Sequence, residues 1–164
     1  MDIMVTTLEN HHSEILYDIQ DVMDDAKTRD YVKDISRSEH TTIASIMTRD
    51  IVTLDHTKTA HDAIIAMMQK RTGSIIITAY GKPFGIVTER DLARIVAAVH
   101  VPARCLILSY LASRPLICAS PTQTIQEASY LMGKYNIDHL PILEKDEIVG
   151  MVTTRDLAMY LFYA

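Results

Sequence analysis

Ten residues from the middle of the chain return near its end. Phe84-Gly85-Ile86-Val87-Thr88-Glu89-Arg90-Asp91-Leu92-Ala93 and Val149-Gly150-Met151-Val152-Thr153-Thr154-Arg155-Asp156-Leu157-Ala158 agree at Gly, Val, Thr and Arg-Asp-Leu-Ala, at an offset of 65 positions from Asp91 to Asp156. Sliding the chain by that offset without a gap also pairs Arg49 with Arg114, Thr57 with Thr122, Thr59 with Thr124, Ala63 with Ala128 and Met67 with Met132. The apolar runs superpose too, Ile51-Val52 on Leu116-Ile117 and Ile75-Ile76-Ile77 on Leu140-Pro141-Ile142. A fixed internal period of this kind is a tandem duplication, and it commits the chain to two similar folded units.

Within the first unit the pattern predicts a short helix over 43–47 capped by Thr41 or Thr42, and a strand over 51–54. A helix follows from Thr59 to about Arg71, capped by Thr57 or Thr59 and stopped by Gly73. The β-branched run Ile75-Ile76-Ile77 reads as a buried strand, and the turn Tyr80-Gly81-Lys82-Pro83 joins it to Phe84–Val87 as a hairpin. A closing helix runs from Glu89 to about Val99. The second unit repeats this order: one longer helix over 103–111, a strand at Leu116-Ile117-Cys118, and a helix from the Pro121–Thr124 cap through Tyr135. A hairpin of His139–Leu143 and Ile148–Val152 follows, then a helix over 154–162. The fold class is therefore α+β, sandwich-like, with two β-α-β-β-α repeats at 42–101 and 102–164. Residues 1–41 hold an amphipathic helix (8–27) and a polar linker. The apolar end of the last helix, Met159 to Tyr163, points to a subunit contact.

A net charge of −5 without clustered Lys and Arg argues against a nucleic-acid surface. No apolar run approaches the roughly 20 residues that span a bilayer, and Met1-Asp2-Ile3-Met4 lacks signal-peptide character, so a cytoplasmic, non-membrane protein is expected. Cys105 and Cys118 read as buried free thiols rather than a disulfide or metal pair. No metal site is expected: His11 and His12, adjacent on a helix, point apart and read as solvated. Met67, Met68, Met132 and Met159 read as core filler, and Asp24-Asp25 and Asp146-Glu147 as solvated charge. No GxSxG, P-loop or HExxH motif is present, so no enzyme and no catalytic residue is expected.

Functional interest concentrates where each hairpin runs into its closing helix. Thr88 with Asp91, and Thr153 with Asp156, occupy a first helical turn, where free N–H groups and the positive dipole end favour an anion. A plain structural role competes: Thr as N-cap and Asp at N3 stabilise a helix start with no ligand at all.

Two tandem units of about 60 residues, each ending in Gly-hydrophobic-Val-Thr-x-Arg-Asp-Leu, resemble the cystathionine beta-synthase (CBS) domain pair, or Bateman module, over roughly Ile43 to Ala164. The resemblance implies two half-sandwiches related by a pseudo-twofold axis, with two clefts that take adenosine-containing ligands. Asp91 and Asp156 would hold ribose hydroxyls, an ionised carboxylate being suited to a diol. Thr88, Thr153, Arg90, Arg155, Ser74 and His139 would face the phosphate. The clefts are completed across the axis. The base wall of the Asp156 cleft would be Ile51, Val52 and Thr53, flanked by Gly73 and Ser74; that of the Asp91 cleft would be Leu116, Ile117 and Cys118, flanked by Asp138 and His139.

One departure matters: many nucleotide-binding members carry a basic or small polar residue where this chain has Asp138, whose charge would repel a polyphosphate. An AMP-like ligand near Asp156 is therefore favoured over ATP, ADP or S-adenosylmethionine, all as effectors rather than catalytic cofactors. The expected function is a non-catalytic sensor, homodimeric through its closing helices, that signals to an unknown protein partner. The alternative is a ligand-free interaction module acting through dimerisation and the N-terminal helix. A small transcription regulator is disfavoured by the acidic charge.

Overall fold

The computed structural model describes residues 41–163. The expected N-terminal helix with His11 and His12, and nearly all of the linker, lie outside the described residues. The first repeat holds β1 (Thr53–Asp55), α1 (Ala60–Lys70), β2 (Ser74–Ala79), β3 (Lys82–Thr88) and α2 (Glu89–Ala98). After the short α3 (Leu108–Leu111), the second holds α4 (Ile125–Tyr135), β4 (His139–Glu144), β5 (Glu147–Thr153) and α5 (Thr154–Tyr163). β1 lies parallel to β2, which pairs antiparallel with β3; β4 pairs antiparallel with β5. Both hairpins turn through two left-handed residues, Tyr80-Gly81 and Lys145-Asp146, the geometry that matches the twist of paired strands. Their registers are equivalent, Ser74 opposite Thr88 and His139 opposite Thr153.

Several local expectations shift. Thr59, not Thr57, caps α1 through a capping box with Asp62, and Arg71 in the left-handed conformation ends it two residues before Gly73. Thr42 precedes a 3-10 turn (Ile43–Ser45) without a side-chain cap bond. The single helix expected over 103–111 is a 3-10 turn (Ala103–Cys105) followed by α3. It breaks because Leu106 and Ile107 extend to pair with the start of α1: the Ala60 N–H donates to Leu106 O, and the Leu108 N–H to Lys58 O. The strand expected at 116–118 is reduced to one bridge, Ala119 to Ile142. In the first repeat the Ile76 N–H donates to Val52 O; its counterpart Pro141 has no N–H, so the second repeat cannot make that bond. Cys105 is exposed, against expectation, while Cys118 is buried and its thiol is pushed up to about 12 by that burial.

The two repeats exchange their leading segments. Ile43 packs in the core of the second repeat with Ile125, Leu131 and Ile142, while Leu108 packs in that of the first with Ala63, Ile75 and Ile77. Both are fully buried, which contributes about 2 kcal/mol each. A third cluster of Ile76, Leu116, Cys118 and Met151 lies between the repeats. The repeated glycines belong to the same exchange. A Cβ on Gly150 would strike the Met47 side chain, and one on Gly85 would come within 2.9 Å of Ser113 O and 3.0 Å of the Ala112 Cβ.

Candidate functional site

Each closing helix begins with a capping box. The Thr88 N–H (2.9 Å) and hydroxyl (2.7 Å) both donate to Asp91 Oδ2, and the Asp91 N–H donates to the Thr88 hydroxyl oxygen (3.2 Å). Thr153 and Asp156 repeat this at 2.8, 2.7 and 3.3 Å. The structural role of these residues is therefore realised, and Thr59–Asp62 and Thr124–Glu127 play it as well, at α1 and α4. Two consequences follow for chemistry. Both threonine hydroxyl hydrogens are committed to carboxylates, so they are not donors toward a phosphate. Each aspartate, half-buried, uses only Oδ2, which leaves Oδ1 able to accept from another hydroxyl. In the first turn of α5 the Thr154 N–H goes to Asp138 O and the Asp156 N–H to Thr153, leaving the Arg155 N–H; α2 is equivalent, with the Glu89 N–H on Gly73 O.

The segments carrying the expected base walls cross between the repeats. Thr48 forms an antiparallel bridge with Met151 on β5, and four residues later Val52 O accepts from Ile76 on β2. Residues 48–53 thus span from the strand leading to Asp156 to the strand beginning at Ser74. Residues 113–119 mirror this, bridging Ser113 to Ile86 on β3 and Ala119 to Ile142 on β4. Ile51, Val52 and Thr53 lie within the first of these crossing segments and Leu116, Ile117 and Cys118 within the second. The walls differ in access: Ile51 and Val52 are half-buried and Thr53 is exposed, whereas Leu116 and Cys118 are sealed in the central cluster and only Ile117 stays partly open.

The flanking residues break the symmetry further. Asp138 forms an ion pair with Arg90 across the repeats, whereas Arg155, Arg90's counterpart, has no ion pair or side-chain hydrogen bond among the described residues. His139 stands against Gly73, whose Cβ position is 3.4 Å from His139 Nε2 and 3.8 Å from Glu89 Oε2. Burial pushes the His139 pKa down, opposed by the Asp138, Glu89 and Asp156 carboxylates and reinforced by Arg90. Ser74 alternates with Ile75 and so shares the face of Ile76, which packs between the repeats. It is 5% exposed, and its hydroxyl has no hydrogen-bond partner among the described residues. Glu89 was absent from the sequence-derived site, although its replacement by Thr154 is one of the few differences inside the duplicated block.

The sequence profile of the CBS domain matches residues 43–98 and again 108–163. A CBS domain-containing protein of Bacillus subtilis, YhcV, is 29% identical over 117 residues, 71% of this chain and 83% of that protein. An uncharacterized protein of Methanopyrus kandleri is 30% identical over 117 residues, 70% of this chain and 60% of its own length. Among solved structures, a CBS-domain protein from Burkholderia ambifaria superposes with a TM-score of 0.70 at 28% identity, covering 74% of this chain and 93% of that one.

Proposed function

Because the chain belongs to the CBS domain family, with its repeats forming a tandem pair, we infer that it is a regulatory, non-catalytic sensor that binds an adenosine-containing ligand between its repeats. An AMP-like ligand at the Asp156 junction is the reading best supported. What supports it is an open Asp156 Oδ1 at the start of α5, together with the partly accessible Ile51, Val52 and Thr53 on a segment that pairs with β5 through Thr48. The carboxylate oxygen suits a ribose diol and the apolar edge suits a base. The Arg155 N–H and guanidinium, with Ser74, supply phosphate donors in place of the committed threonine hydroxyls.

The signal would pass to a protein partner through the geometry of the two repeats, which a ligand can shift only by binding one arrangement better than another. Homodimerisation through the closing helices belongs to the same reading. Val96 on α2 and Leu161 on α5 are equivalent positions, 55% and 70% exposed, with Val99, Met159 and Phe162 beside them. Sedimentation of wild-type protein as a monomer would remove the dimer.

One observation favours a second reading, a ligand-free interaction module: the same capping box serves α1 and α4, so Asp91 and Asp156 are already explained as helix caps. Thermal unfolding of ligand-stripped protein with AMP, ADP, ATP and S-adenosylmethionine separates the two. AMP at 100 times its dissociation constant should stabilise the fold by about 2.7 kcal/mol. No shift with any of the four would leave the interaction module.

A further inference from the structure

The segments that lead into β2 and β4 meet, and the starts of both closing helices hang from them. Gly73 O accepts from the Glu89 N–H of α2, and Asp138 O accepts from the Thr154 N–H of α5. Across this seam the His139 imidazole stands against Gly73, its Nε2 3.4 Å from the place of a Gly73 Cβ, with Glu89 Oε2 3.8 Å from the same point. The ring is half-buried, and neither ring nitrogen has a hydrogen-bond partner among the described residues. The charges that face it are Asp138 beside it, Glu89 and Arg90 on α2, and Asp156 on α5. Gly73 and Thr153, its neighbour on β5, bring none. Two of the three carboxylates are already engaged, Asp138 by Arg90 and Asp156 Oδ2 by the Thr153 N–H and hydroxyl.

We propose that His139 is an acid-operated release for the seam between the repeats: once protonated, the ring leaves its place against Gly73, and the two helix starts held there loosen together. The neutral ring has one N–H to satisfy, whereas the imidazolium has two and a charge, and a half-buried cation is costly unless it is paired and hydrogen-bonded. The Arg90 guanidinium, which holds Asp138, also repels it. Burial keeps the His139 pKa below the ordinary 6.5 against the pull of the three carboxylates, so the second proton favours the arrangement in which the ring is solvated. The proton thus acts as a ligand that binds the loosened arrangement better. Ser74, the counterpart of His139 in the first repeat, does not titrate, so the release works from one side of the seam. No ligand at either junction enters the argument, and the release stands or falls apart from the sensor.

Amide hydrogen exchange of the ligand-stripped full chain, followed between about pH 7.5 and pH 5.5, tests this through protection factors, which remove the intrinsic pH dependence of exchange. In the wild type the Glu89 and Thr154 amides should lose about two- to fivefold in protection as the pH falls. In His139→Gln, which keeps a neutral side chain at the seam, their protection should stay level. Glu89→Gln removes a carboxylate that favours the imidazolium, and should move the midpoint of the loss to lower pH while keeping the loss itself. Thermal unfolding reports whether each variant is folded, and Glu89, being exposed, provides the test should His139→Gln fail to fold. Level or rising protection in the wild type, or the same loss in His139→Gln, overturns the release. A midpoint that Glu89→Gln leaves unmoved overturns it as well, because the ring would then not face Glu89 across the seam.

Discussion

At Thr88 and at Thr153 the chain turns from a strand into a helix in the same way, with an aspartate Oδ2 accepting from the threonine N–H and hydroxyl. The surroundings of the two turns nevertheless differ: Glu89, Arg90 and Asp138 at the first stand where the second has Thr154, Arg155 and Gly73. The comparison separates two kinds of constraint that duplication first imposed together. Positions needed to build the turn, the Thr, the Asp and the Gly before them, are identical in both copies because helix capping and close packing admit few substitutes. Positions around the turn that neither cap the helix nor pack closely, Glu89 against Thr154 and Asp138 against Gly73, have diverged in charge and size.

The scaffold half of that comparison breaks most readily in the exchanged segments. Ile43→Ala and Leu108→Ala should each cost about 2–5 kcal/mol in urea unfolding. Hydrogen exchange should show Ile43→Ala loosening α4 and β4 while Leu108→Ala loosens α1 and β2. Loss of protection in the repeat that is nearer in sequence would instead mean that the segments do not cross. The glycines come next. Gly85→Ala drives a Cβ toward the rigid Ser113 carbonyl, whereas Gly150→Ala meets the bendable end of Met47. Gly85→Ala should therefore cost about 1–3 kcal/mol and Gly150→Ala less, and the reverse ranking would contradict the packing described.

The smallest expected effect concerns His139. Burial lowers its pKa from the ordinary 6.5, so the folded state binds fewer protons than the unfolded one between the two values. Its contribution is present in full above 6.5 and is lost as pH falls through the folded value. His139→Gln should flatten that part of the stability–pH curve, and an unchanged slope would mean the imidazole is solvated.

Much of this was legible in the sequence because its signals are local and periodic. The 65-residue offset, the alternating hairpin strands and the Thr-x-x-Asp starts located both repeats and both candidate carboxylates. The segments holding the expected wall residues do run between the repeats, as the resemblance implies. Features that depend on which partner a segment meets were not legible. An apolar Ile43 or Leu108 is equally at home in either core, and nothing in the spacing of Arg90 and Asp138 announces an ion pair between repeats. Other misses had a readable cause. Pro141 lacks the donor that its counterpart Ile76 uses, which foretells the missing strand at 116–118. Arg71, a non-glycine residue in the left-handed conformation, ended α1 where Gly73 seemed the natural stop, whereas Asn136 at the end of α4 is a residue type that tolerates it.

The most direct test sets one capping aspartate against another. Asp62→Ala and Asp156→Ala remove the same N3 partner of a capping box and should destabilise the fold to a similar, small extent. In an AMP titration Asp62→Ala should bind as the wild type does, while Asp156→Ala should lose at least about tenfold, the scale expected for a hydrogen bond to a charged group. Equal AMP affinity in the two variants would contradict a ligand role for Asp156 and reduce it to the helix cap that Asp62 already is.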